Sequence, residues 1–164
     1  MAAGNTYTPL ATQTLGSAAA SVTFSSIPST YTDLVLVFNG TCTTGVVGLV
    51  LQFNSDTSTN YSYTILSGDG TTASSSRSSN QTTMQVAGMT SSSQATMIAS
   101  IQNYSNATTY KTVLSRQATA TLETRAYVGL WRATPAAITT ILVSTSTSTF
   151  VAGSTFSLYG IAAA

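Results

Sequence analysis

The chain has 164 residues and a mass of 16.9 kDa, a length that suits one domain able to bury a core without staples. Charged residues make up only 5% and the net charge is +1, against a usual charged share of about 25%, and Ser and Thr fill the gap at roughly a third of the chain. This excludes a disordered polyelectrolyte, which combines low hydrophobicity with high net charge. It also argues against a nucleic-acid partner, because the five basic residues are scattered, not clustered.

Residues 1–18 are small and polar, with Tyr7, Leu10 and Leu15 as their few large side chains. They read as an extended N-terminal arm, or alternatively as a first edge strand. As an arm, about 18 extended residues would reach roughly 60 Å, far enough for Tyr7, Leu10 and Leu15 to contact a neighbouring molecule. From Ala19 the chain reads as strand after strand, forming one domain over 19–164. Ala20–Phe24 is short. Thr32–Phe38 contains the continuous apolar run LVLVF, which suits a strand covered on both faces. Val46–Phe53 follows. In Tyr61–Leu66, Tyr61, Tyr63 and Ile65 alternate with Ser62 and Thr64. Thr82–Ala87, Ala95–Asn103, Thr109–Thr121, Thr124–Ala133, Ile138–Ser144 and Ser154–Ile161 continue the habit. Tyr127, Gly129 and Trp131 are expected on one face, and Val128 and Leu130 on the other.

Turn signals separate these runs: Asn39-Gly40, Gly68-Asp69-Gly70 and Thr134-Pro135. Gly and Asn tolerate positive φ, and Pro presets its own φ. About nine or ten short strands at this spacing predict an all-β fold, an antiparallel β-sandwich of jelly-roll kind. Ser67–Thr83, SGDGTTASSSRSSNQTT, is too polar for core and too long for a tight turn. It is expected as a mobile loop at the exposed edge of the domain. Its candidate contacts with a partner are Ser67, Asp69, Ser75, Arg77 and Asn80, with Arg77 offering its donors to a carboxylate or carbonyl of another chain.

Chemistry is sparse. There is no His, so the usual general base near neutral pH is missing. The acids are Asp33, Asp56, Asp69 and Glu123, and a glycosidase would need two of them flanking one bond. A Ser–Lys dyad would require Lys111 to be buried with a depressed pKa. Asn54–Asn60 offers oxygen ligands that could hold calcium, but it lacks the acidic density of a known loop, and Asx-turns joining two strands are the favoured alternative. Glu123 and Arg125 should pair along one strand face. The single Cys42 reads as a small buried or half-buried side chain. The reading is therefore of a protein that is not an enzyme and carries no cofactor and no metal. No apolar run reaches the ~20 residues of a membrane span. The opening MAAGNTYTPLATQTLG has neither the basic nor the apolar region of a secretory signal, which predicts synthesis in a cytoplasm and release by another route.

Three stretches carry a resemblance: VTFSSIPSTYTDLVL at 22–36, LQFNSDTSTNYSY at 51–63 and the ending FSLYGI at 156–161. Together they resemble phage virion structural proteins, tail-associated or head-decorating, in which a turn glycine is common where this chain has Ser55. The resemblance spans Ser21 to Ile161. It implies a β-sandwich module in a symmetric assembly, located in the virion, and no catalytic residues. The first expectation is a capsid-decorating (cement) protein, a homotrimer bound to the major capsid protein. The alternative is a tail or fibre protein that binds a host-surface glycan, with exposed aromatics such as Tyr61, Tyr63, Tyr104, Tyr110 or Trp131 stacking on sugar rings.

Overall fold

Side-chain alternation drives most of the strands. In β8 (Ala95–Gln102) and β9 (Lys111–Thr119) every second residue is buried, the period-two pattern of a sheet covered on one face. The computed structural model describes residues 6–120 and 123–162. They contain twelve strands and no helix. The others are β1 (Tyr7–Thr14), β2 (Ser21–Phe24), β3 (Asp33–Gly40), β4 (Val46–Phe53), β5 (Tyr61–Gly68), β6 (Ala73–Gln81), β7 (Met84–Thr90), β10 (Thr124–Trp131), β11 (Ile141–Thr145) and β12 (Thr155–Ile161). All pairings are antiparallel. An eight-stranded sheet runs β1-β12-β3-β8-β9-β10-β5-β6, and a four-stranded sheet runs β2-β11-β4-β7.

The two sheets enclose one apolar core. Leu34, Leu36 and Phe38 of β3, Met97 and Ile101 of β8, and Phe156 and Leu158 of β12 come from the large sheet. Leu49, Leu51 and Phe53 of β4, Met84 and Met89 of β7, and Ile141 and Val143 of β11 come from the small one. Tyr127, Gly129 and Trp131 do share the buried face of β10, while Val128 is half exposed at 50%. Gly129 is where the sheets approach most tightly: a Cβ there would lie 2.2 Å from the Met84 sulfur. Cys42 is buried, 1% exposed. On β3 the expected cover on both faces is met on the inner side by the core. On the outer side Val35 is buried and Val37 half-buried.

Two expectations need correction. The first is the arm. Tyr7–Thr14 pairs along β12 of its own domain, so the edge-strand alternative is the one adopted. Leu15 lies in the core and Leu10 packs against it, giving the segment an apolar reason to stay. Residues 1–5 of the expected arm, the strand end at Thr121 and residues 163–164 lie outside the described residues. The second is the loop. Ala73–Gln81 is a strand, β6, paired with β5 from Gly68↔Ala73 to Tyr61↔Gln81. Only 69–72 connect the two. β6 is nevertheless at the exposed edge, as expected.

The β4–β5 connection is a tight turn with an unusual backbone. Asn54 and Ser55 both have positive φ, 52° and 58°, and the Asp56 N–H donates to the Phe53 carbonyl at 2.9 Å. Asn54 fits because its side chain holds a neighbouring segment: its carbonyl accepts from the Thr139 and Thr140 N–H groups at 2.9 and 3.2 Å. Ser55 is fully in water and carries the steric penalty of the left-handed region without such compensation. Ser55→Gly is therefore expected to raise stability by roughly 0.5–1 kcal/mol, after the entropy that Gly loses on folding is subtracted. The check is a higher urea midpoint at unchanged slope.

Candidate functional site

The sequence-predicted contact residues gather on the β5–β6 hairpin. Asp69 makes its turn: one carboxylate oxygen accepts from the Thr72 and Thr71 N–H groups at 2.7 and 2.9 Å and from the Thr71 hydroxyl at 2.8 Å. These bonds, led by that from the Thr72 backbone, hold the Asp69 carboxyl down to about 2. Ser67 and Ser74 face each other across the strands, hydroxyl to hydroxyl at 2.8 Å. Ser75 lies opposite Leu66, and Arg77 opposite Thr64, both exposed. Asn80 sits at φ 56° at the base of the hairpin and accepts from the Arg132 guanidinium at 2.9 Å. The hairpin thus brings together Ser67, Asp69, Ser75, Arg77 and Asn80. Tyr7, Leu10 and Leu15 are at the opposite edge of the large sheet, where Tyr7 lies edge-to-face against Tyr159. The two predicted groups are not one site.

The remaining carboxylates are engaged in the framework. Asp33 accepts from the Asn103 N–H at 2.5 Å. Asp56 accepts from the Ser58 N–H at 2.9 Å on one oxygen, and from Asn60 at 2.9 Å and the Trp131 indole N–H at 2.7 Å on the other. Burial alone would raise the Asp56 carboxyl, but the hydrogen bonds from Asn60, Trp131 and Ser58 together outweigh it and hold it below its ordinary value. The Ser58 contact is an Asx-turn, the alternative to calcium. Among the described residues no group of three or more His, Cys, Asp or Glu is placed to hold a metal ion. Glu123 pairs with Arg125, as expected, with both side chains mostly buried.

The pair belongs to a polar cleft that the sequence reading missed. The cleft, about 190 Å³, opens between β4 and β7 of one sheet and β9 and β10 of the other. Gln117, 4% exposed, accepts from the Gly88 N–H at 2.6 Å and from the Tyr127 hydroxyl at 3.1 Å. Ser115 donates to the Val86 carbonyl at 2.6 Å. These two side chains tie the free edge of β7 to the facing sheet. Their positions in the alternation of β9 are the signal that could have found them, since each falls on the buried face. Desolvation pushes the Tyr127 phenol up, against its hydrogen bond with Arg125.

Lys111 is 1% exposed and donates to the Thr109 carbonyl at 2.5 Å. Burial pushes its ammonium down, the property a Ser–Lys dyad would require, but no serine is among its hydrogen-bond partners in the described residues. Of the aromatics expected for sugar stacking, Tyr61, Tyr104 and Trp131 are core residues. The Tyr61 hydroxyl donates to the Asp56 carbonyl at 3.2 Å, and the Tyr104 hydroxyl to that of Pro28. Tyr63 is half-buried and Tyr110 is 56% exposed, so no aromatic platform forms from this set.

Two titrations follow. Asp69, held low in the fold, supports the hairpin fully above the unfolded carboxylate value of about 3.9, and that support is lost as pH falls toward about 2. Its side-chain carbon resonance should titrate near 2, with the Thr71 and Thr72 amides losing protection over the same range. A midpoint near 4 would show that the turn bonds do not form. For Lys111 the sign is opposite. The fold disfavours its charged form, so stability should rise as pH climbs toward the unfolded lysine value of about 10.4. Lys111→Met should stabilise the fold near neutral pH and flatten that rise, measured by urea unfolding at several pH values.

No protein-family model matches this chain, and no curated protein or solved structure matches it either.

Proposed function

We propose that the chain is a non-enzymatic structural protein of a phage particle, a head-decorating protein that sits against the shell in many symmetric copies. One observation carries this reading: each of the four carboxylates is bound into a turn, a strand contact or an ion pair, and Glu123, which lines the cleft, is held there by Arg125. What remains for the surface is hydroxyl-rich and nearly uncharged. Such a surface repels copies of itself weakly and loses little in salt, because it has few ion pairs to screen. Individually weak contacts then gain strength through repetition.

The strand order supports a jelly-roll reading of the sandwich. The small sheet runs β2-β11-β4-β7. Facing it, β3-β8 and β5-β6 stand in the places that a jelly roll requires, with the β9–β10 hairpin inserted between them and β12 and β1 added outside β3. The resemblance of 22–36, 51–63 and 156–161 to virion proteins supports the location. A tail or fibre protein that binds a glycan would rest on Tyr63 and Tyr110, since Tyr61, Tyr104 and Trp131 lie inside.

Antibody labelling of intact particles tests the proposal. Label spread over the head, at a copy number comparable with that of the major shell protein, is the expected result. Label confined to the tail, or absent from purified particles, overturns it. Arg77→Glu should lower retention on the particle without moving the thermal midpoint, because the side chain is exposed on an edge strand.

A further inference from the structure

We infer that the outer face of the eight-stranded sheet is a self-association surface, with a second copy of this chain as its occupant. The inference deepens the assembly reading by naming the face through which copies meet. Among the described residues seven large hydrophobic side chains are exposed, and four of them, Leu66 at 58%, Ile98 at 38%, Leu114 at 41% and Val128 at 50%, lie together on this face. Leu114 is the cross-strand neighbour of Val128. In the adjacent row Ile98, Arg116, Ala126 and Leu66 follow one another across β8, β9, β10 and β5. Contiguous exposed apolar surface of this kind marks an interface.

Two features point to a second copy as the occupant. The first is shape. Ile98, Leu114, Arg116, Ala126 and Val128 line a shallow hollow of about 330 Å³, and Leu66 projects beside it. A knob and a hollow on the same face are what a two-fold interface needs, since each copy supplies what the other receives. The second is charge. If the two-fold axis runs along β10, Val128 meets its own copy and β9 lies over the partner's β5. Arg116 then lies over the partner's Leu66 and not over the partner's Arg116. Its aliphatic stem covers the leucine and its head reaches the partner's hydroxyls, which accept as readily as they donate.

Sedimentation equilibrium of the full chain tests this, together with cross-linking. Wild type should sediment as a multiple of 16.9 kDa. Leu114→Asp and Val128→Asp should weaken association at least tenfold while circular dichroism and the thermal midpoint stay put. If either aspartate variant misfolds, Leu114→Ser and Val128→Thr take its place. Tyr110→Asp, exposed but outside the patch, should associate as wild type does. Val128→Cys should form a disulfide with its own copy on mild oxidation, whereas Tyr110→Cys should not. A monomeric wild type overturns the inference, as do face variants that associate normally. A wild type that associates through another face, or a monomer that still decorates particles, removes this surface and leaves the proposed function standing. Association through this face by a protein absent from particles does the reverse.

Discussion

The hydrogen bond from the Trp131 indole to Asp56 joins the end of β10 in the large sheet to the turn that leaves the small one. Around it Phe53, Tyr61 and Trp131 pack ring on ring, Tyr61 and Trp131 nearly parallel at 6.4 Å. The Tyr61 hydroxyl accepts from the Phe53 N–H at 2.9 Å. Asn54, one residue into the turn, anchors the chain entering β11 through the Thr139 and Thr140 amides. One short segment thereby sets the relation of β4, β5, β10 and β11. Removing the carboxylate would leave a buried indole N–H without its acceptor, which costs about 1–3 kcal/mol, a large part of a domain's net stability.

At the other end of the interface the sheets are joined by polar groups. β7 is the edge of the small sheet, and its outward backbone groups would need water or a further strand. Ser115 and Gln117 supply those partners from the facing sheet. Gly88 leaves them room, since a Cβ there would stand 3.0 Å from the Arg125 guanidinium and 3.3 Å from the Gln117 side-chain oxygen. The result is a closed edge without an extra strand, and a neutral cleft in which Glu123 and Arg125 offset each other.

The protein presents hydroxyls and scattered aliphatics, with Asp69, Arg77 and Arg116 as exposed charges among them. The two edges of the large sheet differ. β1 carries Pro9 and an irregular register there, both of which discourage edge-to-edge pairing. β6 has neither Pro nor Lys and is exposed over nearly its whole length. The outer face between them is broad enough to be covered by another protein. The proposed structural role in an assembly would draw on all three surfaces without requiring chemistry from any.

Composition and alternation by themselves determined the all-β class, ten of the twelve strands and the division of β10 into two faces, because burial of one face imposes period two wherever that face is apolar. They also marked Cys42 as buried or half-buried. β6 escaped notice because both of its faces are wet, so no alternation is written into ASSSRSSNQ. It is a strand because β5 offers it a backbone to pair with. β1 pairs for the same reason along β12. Tertiary structure alone decided that Tyr61, Tyr104 and Trp131 face inward, since an aromatic ring suits a core or a surface equally well by type. It alone placed Lys111 under cover and gave Asp56 its indole partner 75 residues away. It also aligned Leu66, Ile98, Leu114 and Val128 from four strands on one face. Contacts that distant in sequence depend on strand order and register, which local pattern does not contain.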